Sequence, residues 1–211
     1  MPKRTGAEKP KLTQDEATRF RLTALQAGRA GDDDGILAAA TVTLGLRSSE
    51  YMSCLGKHVD CGGNVLHYRD AKTGRWLTVD VHDPSLAELL VDLASRRGPD
   101  QSLWRPSTDV RNFPARVVKR YCKLAGVTEI GCQQMRATVD SLGVLDLAQV
   151  VGTRHTAKVA IKNYIGRETM KQAKLATVAG KLGIETQQFP SQASDGVASP
   201  QNLEGSGGPS A

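Results

Sequence analysis

The stretch of this 211-residue chain that gathers the most chemistry runs from Gln133 to Tyr164, QQMRATVDSLGVLDLAQVVGTRHTAKVAIKNY. It sets Gln133 and Arg136 in a short apolar helix, then His155, then Tyr164 nine positions after the histidine. A phenol with an ordinary pKa of about 10 attacks poorly at neutral pH. It becomes useful only where cations favour its phenolate and the negative charge that its attack creates. Two cations upstream could join such a set: Arg47 in LGLRSSE and Lys72 in DAKTGR.

The elements that must position these groups can be read along the chain. Thr13 and Glu16 have the spacing of a capping box, and Phe20, Ala24 and Ala27 then share one face of a helix that ends near Gly28. With Asp34 as its cap, the stretch from Ile36 to Leu44 is almost wholly apolar, which suits a helix buried on most sides. Gly45-Leu46-Arg47 breaks that run, and Ser48 or Ser49 can cap a further short helix through about Leu55. Arg47 is therefore expected at a buried junction, its guanidinium satisfied either by an anion or by a structural ion pair to a residue such as Glu50. Asn64 to Tyr68 and Arg75 to Val81 are β-rich runs joined by a glycine-containing turn, so Lys72 stands at the tip of a hairpin, either solvated or reaching into a neighbouring groove.

Asp83-Pro84 opens another helix, with Leu86, Leu89, Leu90 and Leu93 on one stripe and Gly98 at its end. After a loop over 98–108, Val110, Phe113, Val117, Tyr121 and Leu124 line one helical face. Arg116, Lys119, Arg120 and Lys123 form a basic ridge on another, suited to tracking phosphates or to facing solvent. Beyond Gly166, RETMKQAKLATVAGKLGIE reads as an amphipathic basic helix. The final segment, rich in Gly, Ser, Pro and Gln, lacks the apolar content to fold.

The net charge of +6, from 28 Lys and Arg against 22 Asp and Glu, favours polyanionic partners without choosing among them. No apolar run is long enough to span a bilayer and the first residues lack the apolar centre of a signal peptide, so an intracellular protein is expected. Cys54, Cys61, Cys122 and Cys132 form no CxxC pair and are expected as reduced thiols. Cys54, His58, Cys61 and His67 have donor types that could suit zinc. However, Cys54 falls on the apolar side of a helix and His67 inside a strand, and no metal is expected. There is no P-loop, GxGxxG or HExxH, and no nucleotide cofactor is expected.

The order of these groups, Arg at a helix junction, Lys on a hairpin, Arg on a helix, His, then Tyr, resembles the tyrosine recombinase (phage integrase) family over about Leu12 to Gly166. LGLRSSEYMSCLGKHVD is similar to the family's first arginine box, NVLHYRDAKTGRWLTVDV to its hairpin with the catalytic lysine, and RHTAKVAIKNYIG to its histidine-to-tyrosine segment. The HxxR motif appears as Gln133-Gln134-Met135-Arg136, and the interval from Arg136 to His155 is about one helical turn shorter than in most members.

The resemblance implies a mainly helical domain with a small antiparallel sheet that breaks and rejoins double-stranded DNA through a 3′-phosphotyrosine, without metal or ATP. It assigns Arg47 and Arg136 to the phosphate oxygens, Lys72 to the leaving 5′ oxygen, His155 to the phosphate or the tyrosine proton, Tyr164 to the attack, and a hydrogen bond to Gln133. Arg116, Lys119, Arg120 and Lys123 become DNA contacts, and assembly on DNA, tetrameric if active, follows. The expected organisation is a basic arm over 1–11, a catalytic domain over 12–166, a C-terminal helix over 167–183 that could dock on a neighbouring protomer, and a disordered tail over 184–211. Two other classes stand beside this one: a remnant that binds DNA without cutting it, and a zinc-stabilised interaction module.

Overall fold

The structure, a computed structural model, describes residues 10–104, 112–144 and 167–184. Its centre is the apolar run. Helix α2, Asp33–Leu44, is buried from Asp34 to Leu44 and is surrounded by α1 (Gln14–Arg29), α4 (Pro84–Arg97), α5 (Phe113–Leu124), α6 (Cys132–Val144) and α7 (Arg167–Lys181). Between α2 and α4 lie the short helix α3 (Ser48–Met52), a 3-10 turn (Gly56–His58) and a two-stranded antiparallel sheet. Strand β1 (Val65–Arg69) pairs with β2 (Trp76–Asp80) in the register His67 to Thr78. The expected fold class, mainly α with a small antiparallel sheet, is what the chain adopts.

The caps explain most of the boundaries. Thr13 and Glu16 form the anticipated capping box on α1, and Glu16 also accepts from Thr128 at 3.0 and 2.7 Å, tying α1 to the loop between α5 and α6. Bonds first from the Thr13 backbone and then from Thr128 draw its carboxyl down to about 2. Helix α2 starts one turn earlier than the apolar pattern suggests, because Asp32 rather than Asp34 caps it, accepting from the Asp34 amide at 3.0 Å. Its neighbours in the DDD run are clamped as well: Asp33 by Arg96 and Arg97 at 3.0 and 2.7 Å, and Asp34 by Arg120 at 3.1 Å. Gly45 ends α2 at φ 60°, a left-handed turn that a side chain would strain.

Three expectations change. Arg47, not Ser48 or Ser49, occupies the N-cap of α3, and the cap works in reverse: the Glu50 carboxylate accepts from the Arg47 amide at 2.6 Å. The helix stops at Met52 because the following chain is drawn to the loop after α4, where Gly56 and Lys57 donate to the carbonyls of Gln101 and Pro99 at 3.0 and 2.9 Å. On α5 the buried stripe ends at Tyr121, and Leu124, at the helix terminus, is 60% exposed; Val110 lies outside the described residues. The C-terminal helix packs on the same body. Leu175, Val178 and Ala179 of α7, with Leu182 just past its end, are buried, and the helix lies against α6, α2 and β2.

Candidate functional site

Arg47 is held in place from below. The turn that carries it is pinned by Tyr51, whose hydroxyl donates to the Ala40 carbonyl at 3.0 Å and accepts from the Leu46 amide at 3.1 Å. Trp104 in turn donates its indole N–H to the Tyr51 carbonyl at 2.7 Å. Tyr51 and Leu46 are buried, yet Arg47 itself is exposed, its side chain to 43%, so the junction is anchored in the core while the arginine expected to be buried there faces outward. Its Nη1 meets Glu50 at 2.7 Å and Asp70 at 3.6 Å. The anticipated ion pair to Glu50 thus exists, and the hydrogen bond that Arg47 donates to Glu50 is the first cause of a raised Arg47 pKa.

Glu50 is also the joint between helix and hairpin. Buried to 3% exposure, it accepts from the Ala71 amide at 3.3 Å, which seats the hairpin tip beside Arg47. Asp70 braces the tip itself, accepting from the amides of Lys72 and Thr73 at 3.0 and 2.6 Å; the Thr73 bonds, foremost, hold its carboxyl below the usual range. Lys72 is exposed at this tip, two residues beyond Asp70.

Arg136 comes from α6, whose inner face fixes its register. Met135, Thr138 and Val139 are buried, and the Thr138 hydroxyl accepts from the Leu12 amide at 3.1 Å. Gln133, Arg136, Ala137 and Asp140 consequently share the outer face. That face and the Arg47 junction form the two walls of an open cleft of about 1010 Å³, with Ser48, Ser49, Asn112 and Cys132 completing it. Burial raises the Cys132 thiol pKa, a hydrogen bond with Ser48 and the nearby Arg136 charge opposing it. A smaller adjoining cleft again contains Arg47 and Arg136, now with Glu50, Asp70, Asp140 and Lys174.

Of the six residues expected in a reacting centre, three, Arg47, Gln133 and Arg136, line one cleft, and Lys72 stands on the hairpin docked against its rim. His155 and Tyr164 lie outside the described residues. Sequence reasoning passed over Asp140 and Lys174. Asp140 could have been found by counting one turn on from Arg136, whereas nothing local in the sequence brings Lys174 there.

The basic ridge lies on α5 as expected, lining a separate shallow groove with Leu124. Acidic partners sit along it: Arg120 binds Asp32 and Asp34, and Lys119 and Lys123 approach Glu129 at 3.5 and 3.6 Å. The four candidate zinc donors are otherwise engaged or apart. Cys54 donates to the Glu50 and His67 carbonyls at 3.4 and 3.6 Å, the His58 Nδ1 accepts from the Leu55 amide at 3.0 Å, and Cys61 is exposed. Among the described residues no group of three or more His, Cys, Asp or Glu could hold a metal ion.

No protein-family model and no curated protein matches this chain. Solved structures do. The chain is similar to XerA recombinase with a TM-score of 0.53 at 17% identity, over 78% of this chain and 64% of that one. It is similar to the integrase from mycobacterium phage Brujita with a TM-score of 0.56 at 15% identity, over 89% of this chain and 63% of that one. It therefore spans just under two thirds of the length of either. The buried α2, the hairpin seated on α3 and the arginine-bearing α6 are parts of a fold of the tyrosine recombinase catalytic-domain type.

Proposed function

We propose that the domain breaks and rejoins double-stranded DNA through a covalent 3′-phosphotyrosine. The single observation that carries this reading is the shared cleft of Arg47, Gln133 and Arg136, open enough for a phosphodiester and bordered by the lysine-bearing hairpin. Attack by the Tyr164 oxygen on phosphorus adds charge to the non-bridging oxygens, which two guanidinium forks can hold. The tyrosine proton passes to His155, the bond to the 5′ oxygen breaks, and Lys72 supplies that oxygen with a proton. Gln133 donates a hydrogen bond to the phosphate but cannot shuttle a proton. The phosphotyrosine conserves the bond energy, so a 5′-hydroxyl can reverse the step without ATP.

On this reading double-stranded DNA is the partner, several copies assemble on it, tetrameric in a complete synapse, and the protein is DNA-associated. No helix among the described residues is long and apolar enough to cross a membrane. The test is denaturant-resistant capture of the protein on a pool of nicked suicide duplexes of randomised sequence. Wild-type chain is expected to form an adduct and Tyr164→Phe none, with duplex binding unchanged. An adduct from the phenylalanine variant would remove Tyr164 from the role. Gln133, where the fold's relatives in the resemblance carry histidine, favours a second reading: a domain that binds duplex DNA but forms no adduct in either version.

A further inference from the structure

The smaller cleft beside Arg47 and Arg136 balances three cations, Arg47, Arg136 and Lys174, against three carboxylates, Glu50, Asp70 and Asp140. A site for a phosphate cannot leave carboxylates unneutralised, because each one repels the incoming anion and competes for its arginines. Two of the three are already spoken for. Glu50 and Asp70 are bound to Arg47 and to backbone amides of the hairpin. Asp140 is the exception on its own helix: it stands four residues after Arg136 on the same face, the spacing at which an arginine and a carboxylate on a helix pair directly.

That pair does not form. Arg136 makes no ion pair among the described residues, whereas Asp140 accepts the ammonium of Lys174 from α7. Lys174 is only 26% exposed, and its helix is fixed nearby by two further bonds, Lys181 Nζ to the Leu142 carbonyl at 2.9 Å and the Gln14 side-chain Nε2 to the Lys181 carbonyl at 2.9 Å. The C-terminal helix thus delivers one charge to the carboxylate that stands one turn after Arg136 on its own helix.

We infer that Lys174 is a positioning residue: by occupying Asp140 it keeps the Arg136 guanidinium available to a phosphate in the cleft. The inference rests on the proposed role of Arg136 as a phosphate ligand. It makes availability of that arginine depend on whether α7 is seated. Lys174 itself need not touch the phosphate.

A charge-swap cycle on the full chain tests it without knowledge of a DNA site. The probe is inorganic phosphate, and the readout is the phosphate-induced shift of the Arg136 Nε–Hε resonance, assigned by its loss in Arg136→Lys. Lys174→Met should weaken the titration about tenfold, Lys174→Arg should leave it within about twofold of wild type, and Asp140→Asn should bind as well as wild type or better. The decisive arm is Lys174→Met combined with Asp140→Asn, which should recover wild-type binding although the lysine is still missing. Circular dichroism of each variant confirms folding, so that a merely structural lysine reveals itself as a loss that Asp140→Asn does not repair. That failure of rescue, an unchanged titration in Lys174→Met, or no saturable shift in wild type would each overturn the inference. An intact rescue in a chain that forms no adduct on suicide duplexes would instead sink the strand-transfer reading and leave the role of Lys174 standing.

Discussion

Arg47 and Arg136 face the same cleft but are built differently, and the difference predicts different mutant behaviour. Removing either fork should cost roughly 10²-fold or more in adduct formation, the scale for deleting one preorganised donor to a developing oxyanion. Only Arg47→Ala should also unfold more easily. It strips the guanidinium from Glu50, a carboxylate buried to 3% exposure, although two backbone amides remain to it, so a loss of about 1–3 kcal/mol is expected. Arg136→Ala breaks no ion pair among the described residues and should melt near wild type. Equal stabilities in urea unfolding would contradict this account of Glu50. Gln133 marks the chemical limit of the cleft: its amide can orient a phosphate oxygen but does not titrate. General acid–base help is worth about 10² to 10⁴-fold, so the domain should be slow. Gln133→His should accelerate adduct formation at least tenfold on suicide duplexes; no adduct from either form would favour the DNA-binding remnant.

The elements around the cleft owe their stability to contacts that differ in how far apart they lie in sequence, and α7 is the case with a pH signature. Its Leu175, Val178 and Ala179, with Ile184 beyond its end, close over His82, Thr43, Asp80 and Asp83 around a void of about 10 Å³, room for one water at most. Nε2 of His82 is buried there with no hydrogen-bond partner among the described residues, and burial, the leading cause, lowers its pKa against the opposing pull of Asp80; Asp83 is occupied by Arg21 at 2.7 Å. A depressed histidine is neutral in the fold while the unfolded chain takes up a proton near pH 6.5. Its stabilisation is therefore present above about 6.5 and lost as pH falls below that value. Amide protection factors in α7, taken relative to the intrinsic exchange rate at each pH, should fall between pH 7 and 5, and His82→Gln should flatten that change; an undiminished pH response in the variant would remove His82 from it. This seat was illegible in the sequence. The capping box at Thr13, the apolar α2, the Lys72 hairpin and the Asp83-Pro84 start of α4 could all be read because their causes lie within a few residues. The wall formed by Arg47 and Arg136, the reach of Glu50 to Ala71 and the seat of Lys174 on Asp140 join residues 89, 21 and 34 positions apart, and no local pattern encodes them.

Across the whole molecule the question is how much of the +6 charge a polyanion can use. The α5 ridge has four cations at helical spacing, but its acidic partners divide them. Arg120 is bound to Asp32 and Asp34 and lies over the Tyr121 ring at 5.2 Å, so it is built into the structure that closes α5 onto the start of α2. Burial would lift the Asp32 carboxyl, yet the Tyr121 hydroxyl and Arg120 hold it below its usual value, as expected of a committed ion pair. Lys119 and Lys123 are 54% and 73% exposed and share Glu129, at 3.5 and 3.6 Å. Pairs of that kind are worth at most about 1 kcal/mol and yield readily to a phosphate. Duplex binding should therefore draw on the lysines and spare the arginine. Each phosphate contact contributes about 0.9 to the slope of log K against log salt, so the double variant Lys119→Ala, Lys123→Ala should lower that slope by about 2. Arg120→Ala should change the slope little and instead cost about 1–3 kcal/mol of stability, between the values for exposed and buried pairs. Glu129→Gln, which releases both lysines, should tighten binding at low salt. Anisotropy titrations on a random duplex across 50 to 200 mM salt separate these outcomes. A slope that falls for Arg120→Ala but not for the double lysine variant would move the DNA contact away from the exposed end of the ridge and onto the clamp at Asp32.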